Sequence, residues 1–127
     1  MKILLANSPS IVSLDNGLEK YFVKAGSRWP FSTIKRRSEP LKDYIPFPFY
    51  LAYTTALLKN DNFNVQAIDA VPLNWNHQDF IDYCVNENPD ILLIESTTPT
   101  FEIDLENIDF VQFAGWDNSG TFMSQGL

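Results

Sequence analysis

Cysteine is almost absent: Cys84 is the only one among 127 residues. A single thiol excludes an intramolecular disulfide and any zinc or iron–sulfur site that needs several cysteines. Cys84 falls on the apolar side of a helical pattern, which reads as a buried structural thiol rather than a nucleophile. Histidine is equally scarce. His77 stands alone, so a Ser-His-Asp or Cys-His arrangement would have to use it, and no nucleophile motif accompanies it. No apolar run reaches the roughly eighteen residues of a transmembrane helix. The opening Met1–Asn7 is only briefly apolar and has no cleavage-site pattern; it reads as a strand rather than a signal peptide, and the cytoplasm is the default location. Neither Gly-x-Gly-x-x-Gly nor a glycine–lysine phosphate loop occurs, so dinucleotide and ATP binding lack their fingerprints. Asp69 stands where a ribose-binding acid would, but without those glycines.

What is present suits one small domain with one core. Hydrophobic residues make up 45% and charged residues 20%, as in ordinary globular chains. The formal net charge of -7 argues against a nucleic-acid surface over the whole chain. The charge is unevenly spread: seven of the nine Lys and Arg lie between Lys20 and Lys42, and twelve of the sixteen acids follow Asp43. This is either a solvated basic loop before an acidic body or a loop that meets an anionic ligand or acidic partner.

Periodicity predicts an alternating α/β order. Lys2–Ala6 is an apolar run of strand length, closed by Asn7-Ser8-Pro9-Ser10. From Ile11 to Ile45 no period holds, which predicts a long loop. Phe49, Ala52, Tyr53, Ala56 and Leu57 then form one apolar stripe of a helix entered through Pro46-Phe47-Pro48. Phe63, Val65 and Ala67 alternate with polar residues as a half-exposed strand running to Asp69. A second helix, capped by Asn74 or Asn76, places Phe80, Ile81, Cys84 and Val85 on one face and stops at Pro89. Ile91–Ile94 is apolar on both sides, as in the middle of a parallel sheet. A weaker helix covers Ile103–Val111, using Leu105, Ile108 and Val111.

The expected fold is therefore a Rossmann-like or flavodoxin-like parallel sheet, strand order 2-1-3, with helices on both faces. Residues 1–111 form this partial domain and 112–127 a divergent tail without a strand signal. The third strand is then left with an open apolar edge, which would favour a homodimer or another chain pairing there. In such sheets ligands sit beyond the carboxyl ends of the strands where the order reverses, between strands one and three. The loops meeting there, Asn7–Ser10 and Ser96–Thr100, are rich in small hydroxyl side chains. Those hydroxyls either cap the following helix or contact a ligand bearing many amides or a phosphate.

Four stretches carry a resemblance over roughly residues 1 to 110. They are Lys2–Ser10, Gly26-Ser27-Arg28-Trp29-Pro30, Tyr44–Tyr53 with its Pro-Phe-Pro-Phe centre, and Pro89–Thr100, continued by Asp104-Leu105. Together, in this order, the chain resembles the N-terminal cobalamin (B12)-binding domain of B12-dependent radical S-adenosylmethionine proteins, in truncated form. The resemblance implies a cobalamin cofactor seated over the strand ends beside a radical S-adenosylmethionine domain or subunit. It assigns Asn7 and Ser8 to one side of the cleft, Ser96, Thr97, Thr98 and Thr100 to the other, and Arg28 to a phosphate or amide of the cofactor. The family's enzymes hold an iron–sulfur cluster with Cys-x-x-x-Cys-x-x-Cys, which this chain lacks, so the chain is not expected to be a complete enzyme or to hold a cluster. Histidine-on cobalamin proteins carry Asp-x-His-x-x-Gly after strand one; Asn7, Pro9 and Val12 occupy those places, so no cobalt ligand comes from this loop. After about Val111 the family continues with further strands and a glycine-containing loop under the corrin, and the tail here departs from that pattern. Two other readings stay open: a non-catalytic interaction module using the open sheet edge, and a flavodoxin-like domain for another small molecule.

Overall fold

A strand covered on both faces must be apolar at every position, and the run from Ile3 to Ala6 meets that requirement. In the computed structural model, which describes residues 1–9, 11–13, 19–23, 33–37, 47–96, 100–115 and 121–124, this run is the buried core of the first strand. The elements in chain order are β1 (Lys2–Asn7), β2 (Ile11–Ser13), β3 (Glu19–Val23), β4 (Thr33–Arg37), α1 (Phe49–Asn60), β5 (Asn64–Asp69), α2 (His77–Glu87), β6 (Ile91–Ser96), α3 (Phe101–Phe113) and β7 (Thr121–Ser124). The main sheet has the order β5-β1-β6-β7, and all three pairings are parallel. Its first three strands thus take the expected 2-1-3 order, with β1 between the half-exposed β5 and the apolar β6.

Alternation of side chains along the strands divides the core into two layers. Ile3, Leu5 and Val65 pack with Leu51 of α1 on one face, joined by Leu58, Ile91 and Leu93. Leu4, Ala6, Leu92 and Ile94 pack on the other face with Phe80, Ile81 and Cys84 of α2 and Ile108 and Val111 of α3. The helices therefore lie on both faces of the sheet, and α2 buries the face expected from its period. Asn76, not Asn74, caps α2: its side chain accepts from the Asp79 N–H at 2.9 Å while the Asp79 carboxylate accepts from the Asn76 N–H at 3.0 Å. Asn74 is instead, among the described residues, one of three asparagines with positive φ; Asn88 caps the end of α2, and Asn62 follows the Asp61 cap of α1.

Three expectations are corrected. The segment 11–45, read as a loop, contains a separate antiparallel sheet of order β2-β3-β4. Its strands are three to five residues long, too short to set up a readable period. The tail supplies β7, which pairs with β6 from Leu93↔Thr121 to Ser96↔Ser124, so the edge expected to be open is occupied over those residues. A buried strand with unpaired N–H and C=O groups is costly, and four residues suffice to pair it without showing a pattern of their own. Finally, α1 does not bury the stripe Phe49–Leu57. Tyr53 and Leu57 are exposed, and Leu51 with Leu58 meets the sheet. The helix is apolar around much of its circumference, so periodicity could not say which side faces inward. Among the described residues, no helix is long and apolar enough to cross a membrane.

The two faces of α1 make opposite predictions. Leu51→Ala should cost about 2–5 kcal/mol, as for a buried leucine, and Leu57→Ala should stay within about 0.5 kcal/mol of the parent protein. Urea unfolding of the two variants checks this; the reverse ranking would restore the Phe49–Leu57 stripe as the core face.

Candidate functional site

The carboxyl ends of β5, β1 and β6 lie side by side, with Asn7 in register with Asp69 and Ala6 with Ile94. Because successive residues point to opposite faces, these ends present two separate rows of polar side chains.

The row on the α2/α3 side is knit together around a carboxyl group. Asp104, in the first turn of α3, is fully buried. Its Oδ1 accepts from the Ser8 hydroxyl at 2.6 Å, and its Oδ2 accepts from Ser96 at 2.6 Å and Thr100 at 2.8 Å. Ser8, Ser96 and Thr100 are themselves fully buried. A buried carboxylate requires such donors, because each replaces water lost on folding. The hydroxyls thus join the ends of β1 and β6 to α3. Thr100 is the N-cap residue of α3 but makes no side-chain capping bond; its hydroxyl goes to Asp104.

One turn further along α3, Asn107 continues this packing. Its amide donates to the Pro9 carbonyl at 3.2 Å, and its Oδ1 lies 2.7 Å from His77 Nδ1. His77 Nε2 in turn lies 3.3 Å from the Ile11 N–H and 3.2 Å from the Ile11 carbonyl. The only histidine is therefore a tether. Because the Asn107 amide nitrogen is given to Pro9, its Oδ1 accepts from His77 Nδ1; with Nε2 against the Ile11 backbone, the chain leaving β1 is held against α2 and α3.

The row on the α1 side is different. Asn7, Asp69 and Glu95 follow the parity of Ile3, Val65 and Ile91, which pack against α1. Asn7 is only 2% exposed, and Glu95 is buried. The Asn7 amide donates to Asp69 Oδ1 at 3.1 Å, and the same oxygen accepts from the Val71 N–H at 3.2 Å. The other arm of the amide, Asn7 Oδ1, is buried with no hydrogen-bond partner among the described residues. Such an acceptor is uncommon in a folded protein and asks for an explanation.

Of the residues assigned from sequence, Asn7, Ser8, Ser96 and Thr100 do converge on this end of the sheet. The hydroxyls of the last three are spent on Asp104. Arg28, Thr97 and Thr98 lie outside the described residues. Asp104 and Asn107, which organise the end, escaped the sequence reading of α3 because they occupy the buried stripe completed by Ile108 and Val111. Their spacing with those two was the available signal: polar residues at i and i+3 of an otherwise apolar face. Glu95, inside the Pro89–Thr100 stretch, was likewise passed over. Cys84 is buried as expected, and burial, with the Glu87 carboxylate adding to it, pushes its thiol up to about 12. Burial followed by Glu87 and Cys84 also raises Tyr83. Among the described residues, no group of three His, Cys, Asp or Glu side chains is placed to hold a metal ion. No protein-family model, curated protein or solved structure matches this chain.

Two predictions follow from the Asp104 row and the thiol. Asp104→Ala leaves three buried hydroxyls without their acceptor and should cost about 3 kcal/mol or more, whereas Asp104→Asn, which keeps an acceptor of the same shape, should cost less; chemical denaturation gives the order. Native Cys84 should resist a thiol reagent at pH 8 and react on unfolding. Because its proton is held in the folded state up to about 12 against a reference of 9.0, its contribution to stability is complete below pH 9 and is lost as pH rises through that window. A thiol that reacts fully in the folded protein contradicts the burial.

Proposed function

We propose that this chain is a cobalamin-binding α/β domain that serves a radical S-adenosylmethionine barrel and is not an enzyme alone. The observation that carries the reading is the parallel order β5-β1-β6, with its reversal between β1 and β6 beside Asn7. In open parallel sheets that position takes the ligand. The step from this fold to a corrinoid rests on the four sequence stretches, of which Lys2–Ser10 and Pro89–Thr100 supply the two strand ends in question. Asn7 and the backbone around Ser8 and Ser96 are the described groups closest to that position; Arg28, Thr97 and Thr98 complete the proposed set. No cobalt-ligating histidine is assigned: His77 is held by Asn107 and Ile11. The interaction-module alternative drew on an open β6 edge, and β7 pairs along it. The protein is proposed to work in the cytoplasm.

The test is equilibrium dialysis of the purified chain against hydroxocobalamin, followed by its visible spectrum. Retained corrinoid at one equivalent or less, lost on unfolding, is expected; Thr97→Val with Thr98→Val should weaken it. A protein that retains no corrinoid overturns the reading, and retention of flavin mononucleotide instead would move it to the flavodoxin-like alternative.

A further inference from the structure

α1 meets the sheet through Leu51 and Leu58 and carries a second apolar face that stays exposed. We infer that this face is where two copies of the chain associate, α1 lying antiparallel to α1 of the second copy across a two-fold axis beside Tyr53. The inference is independent of the corrinoid reading.

Three observations lead there. The first is the extent of the face. Phe47, Tyr50, Tyr53 and Leu57 are 55%, 42%, 65% and 63% exposed. Tyr50, Tyr53 and Leu57 follow at i, i+3 and i+7, so they share one side of the helix. Phe47 joins them through ring contacts, 5.0 Å to Phe49, whose ring stacks 6.3 Å from Tyr53. With about 150–250 Å² for each aromatic side chain, the exposed parts come to roughly 400 Å² per protomer. Two copies together approach the roughly 1,000 Å² of a specific interface once the exposed Ala56 and Asn60 on the same side are included. The second observation is charge. No residue from Pro46 to Leu58 is charged, in a chain whose net charge is -7. Self-association of such a chain has to keep acids apart, and this face does so. α3 is the contrast: it exposes apolar residues from Phe101 to Phe113, but Glu102, Glu106 and Asp109 are exposed among them. Pairing α3 with itself would bring like charges together. The third observation is symmetry. A two-fold contact needs one surface that matches itself. With the axis beside Tyr53, an antiparallel arrangement sets Tyr50 of each copy against Leu57 of the other. The β6 edge, where the sequence predicts a homodimer, is paired with β7, so the second copy is assigned to α1.

Sedimentation velocity of the full chain from about 1 µM to about 500 µM tests this, a range suited to the weak association of a small interface. The mass should rise from the 14.5 kDa of one protomer toward twice that value. Tyr53→Glu sets a carboxylate from each copy at the axis and should weaken association at least about thirtyfold, as loss of a central aromatic anchor does. Phe113→Glu, on α3, should leave association unchanged. Both variants should keep the far-ultraviolet circular dichroism of the parent, because both side chains are exposed. Tyr50→Lys repeats the test should Tyr53→Glu not fold. The urea comparison of Leu51→Ala with Leu57→Ala belongs at the lowest of these concentrations, where the protomer alone is measured. A chain that stays monomeric throughout overturns the inference; if that monomer floats with vesicles of anionic phospholipid, the face belongs to a membrane surface instead. A dimer indifferent to Tyr53→Glu and lost in Phe113→Glu overturns it as well and moves association to α3.

Discussion

The end of the sheet is organised around one buried carboxylate. Asp104 could be removed from water only because three hydroxyls replace it, from Ser8 after β1, Ser96 at the end of β6 and Thr100 before α3. The lengths of 2.6, 2.6 and 2.8 Å are those of well-formed O–H···O hydrogen bonds. Ser96 and Thr100 are close to Asp104 in the chain, but Ser8 is 96 residues away, so the full contact forms only when β1 and β6 are already neighbours. It therefore acts as a check on register, because a strand slipped by one residue would turn Ser96 to the other face and leave the carboxylate short of a donor.

That constraint also fixes which polar side chains share a face. Residues 95 and 96 are consecutive, yet one faces α1 and the other α3. With Ser96 committed to Asp104, Glu95 must lie beside Asn7 on the α1 side. The first row is satisfied within the protein, whereas the second contains an acceptor, Asn7 Oδ1, that the described structure does not satisfy. Proteins tolerate few such groups, and those they keep tend to sit where something else is bound. The Asn107–His77–Ile11 chain adds to this division by tying the segment after β1 to the helices on the Asp104 side.

How much was legible in the sequence depended on the length of each pattern. β1 and β6 were readable because an unbroken apolar run of strand length has few other uses, and α2 because Phe80, Ile81 and Cys84 repeat at helical spacing ahead of Pro89. The side of α1 that faces the sheet was not readable: Leu51 and Leu58 compete with an equally apolar stripe through Tyr53 and Leu57, and only the sheet decides between them. The strands of 11–37 and β7 are each five residues or fewer, too short to show a period, and β7 finds its place only by pairing with β6. In the candidate site, Asn7, Ser8, Ser96 and Thr100 were found from their place at strand ends. Asp104 and Asn107 were not, because a search for apolar periodicity passes over polar members of a buried face.

By itself the sequence determined the class of fold, the order of its main elements and the loops that meet at the point of reversal, since these follow from local periodicity and from turn residues. Only the tertiary structure decided what each polar side chain there does. Ser8 and Asp104 are 96 residues apart, and whether a hydroxyl faces a ligand or a buried carboxylate depends on which strands are adjacent and in what register. That is a property of the assembled sheet, and no window of neighbouring residues contains it.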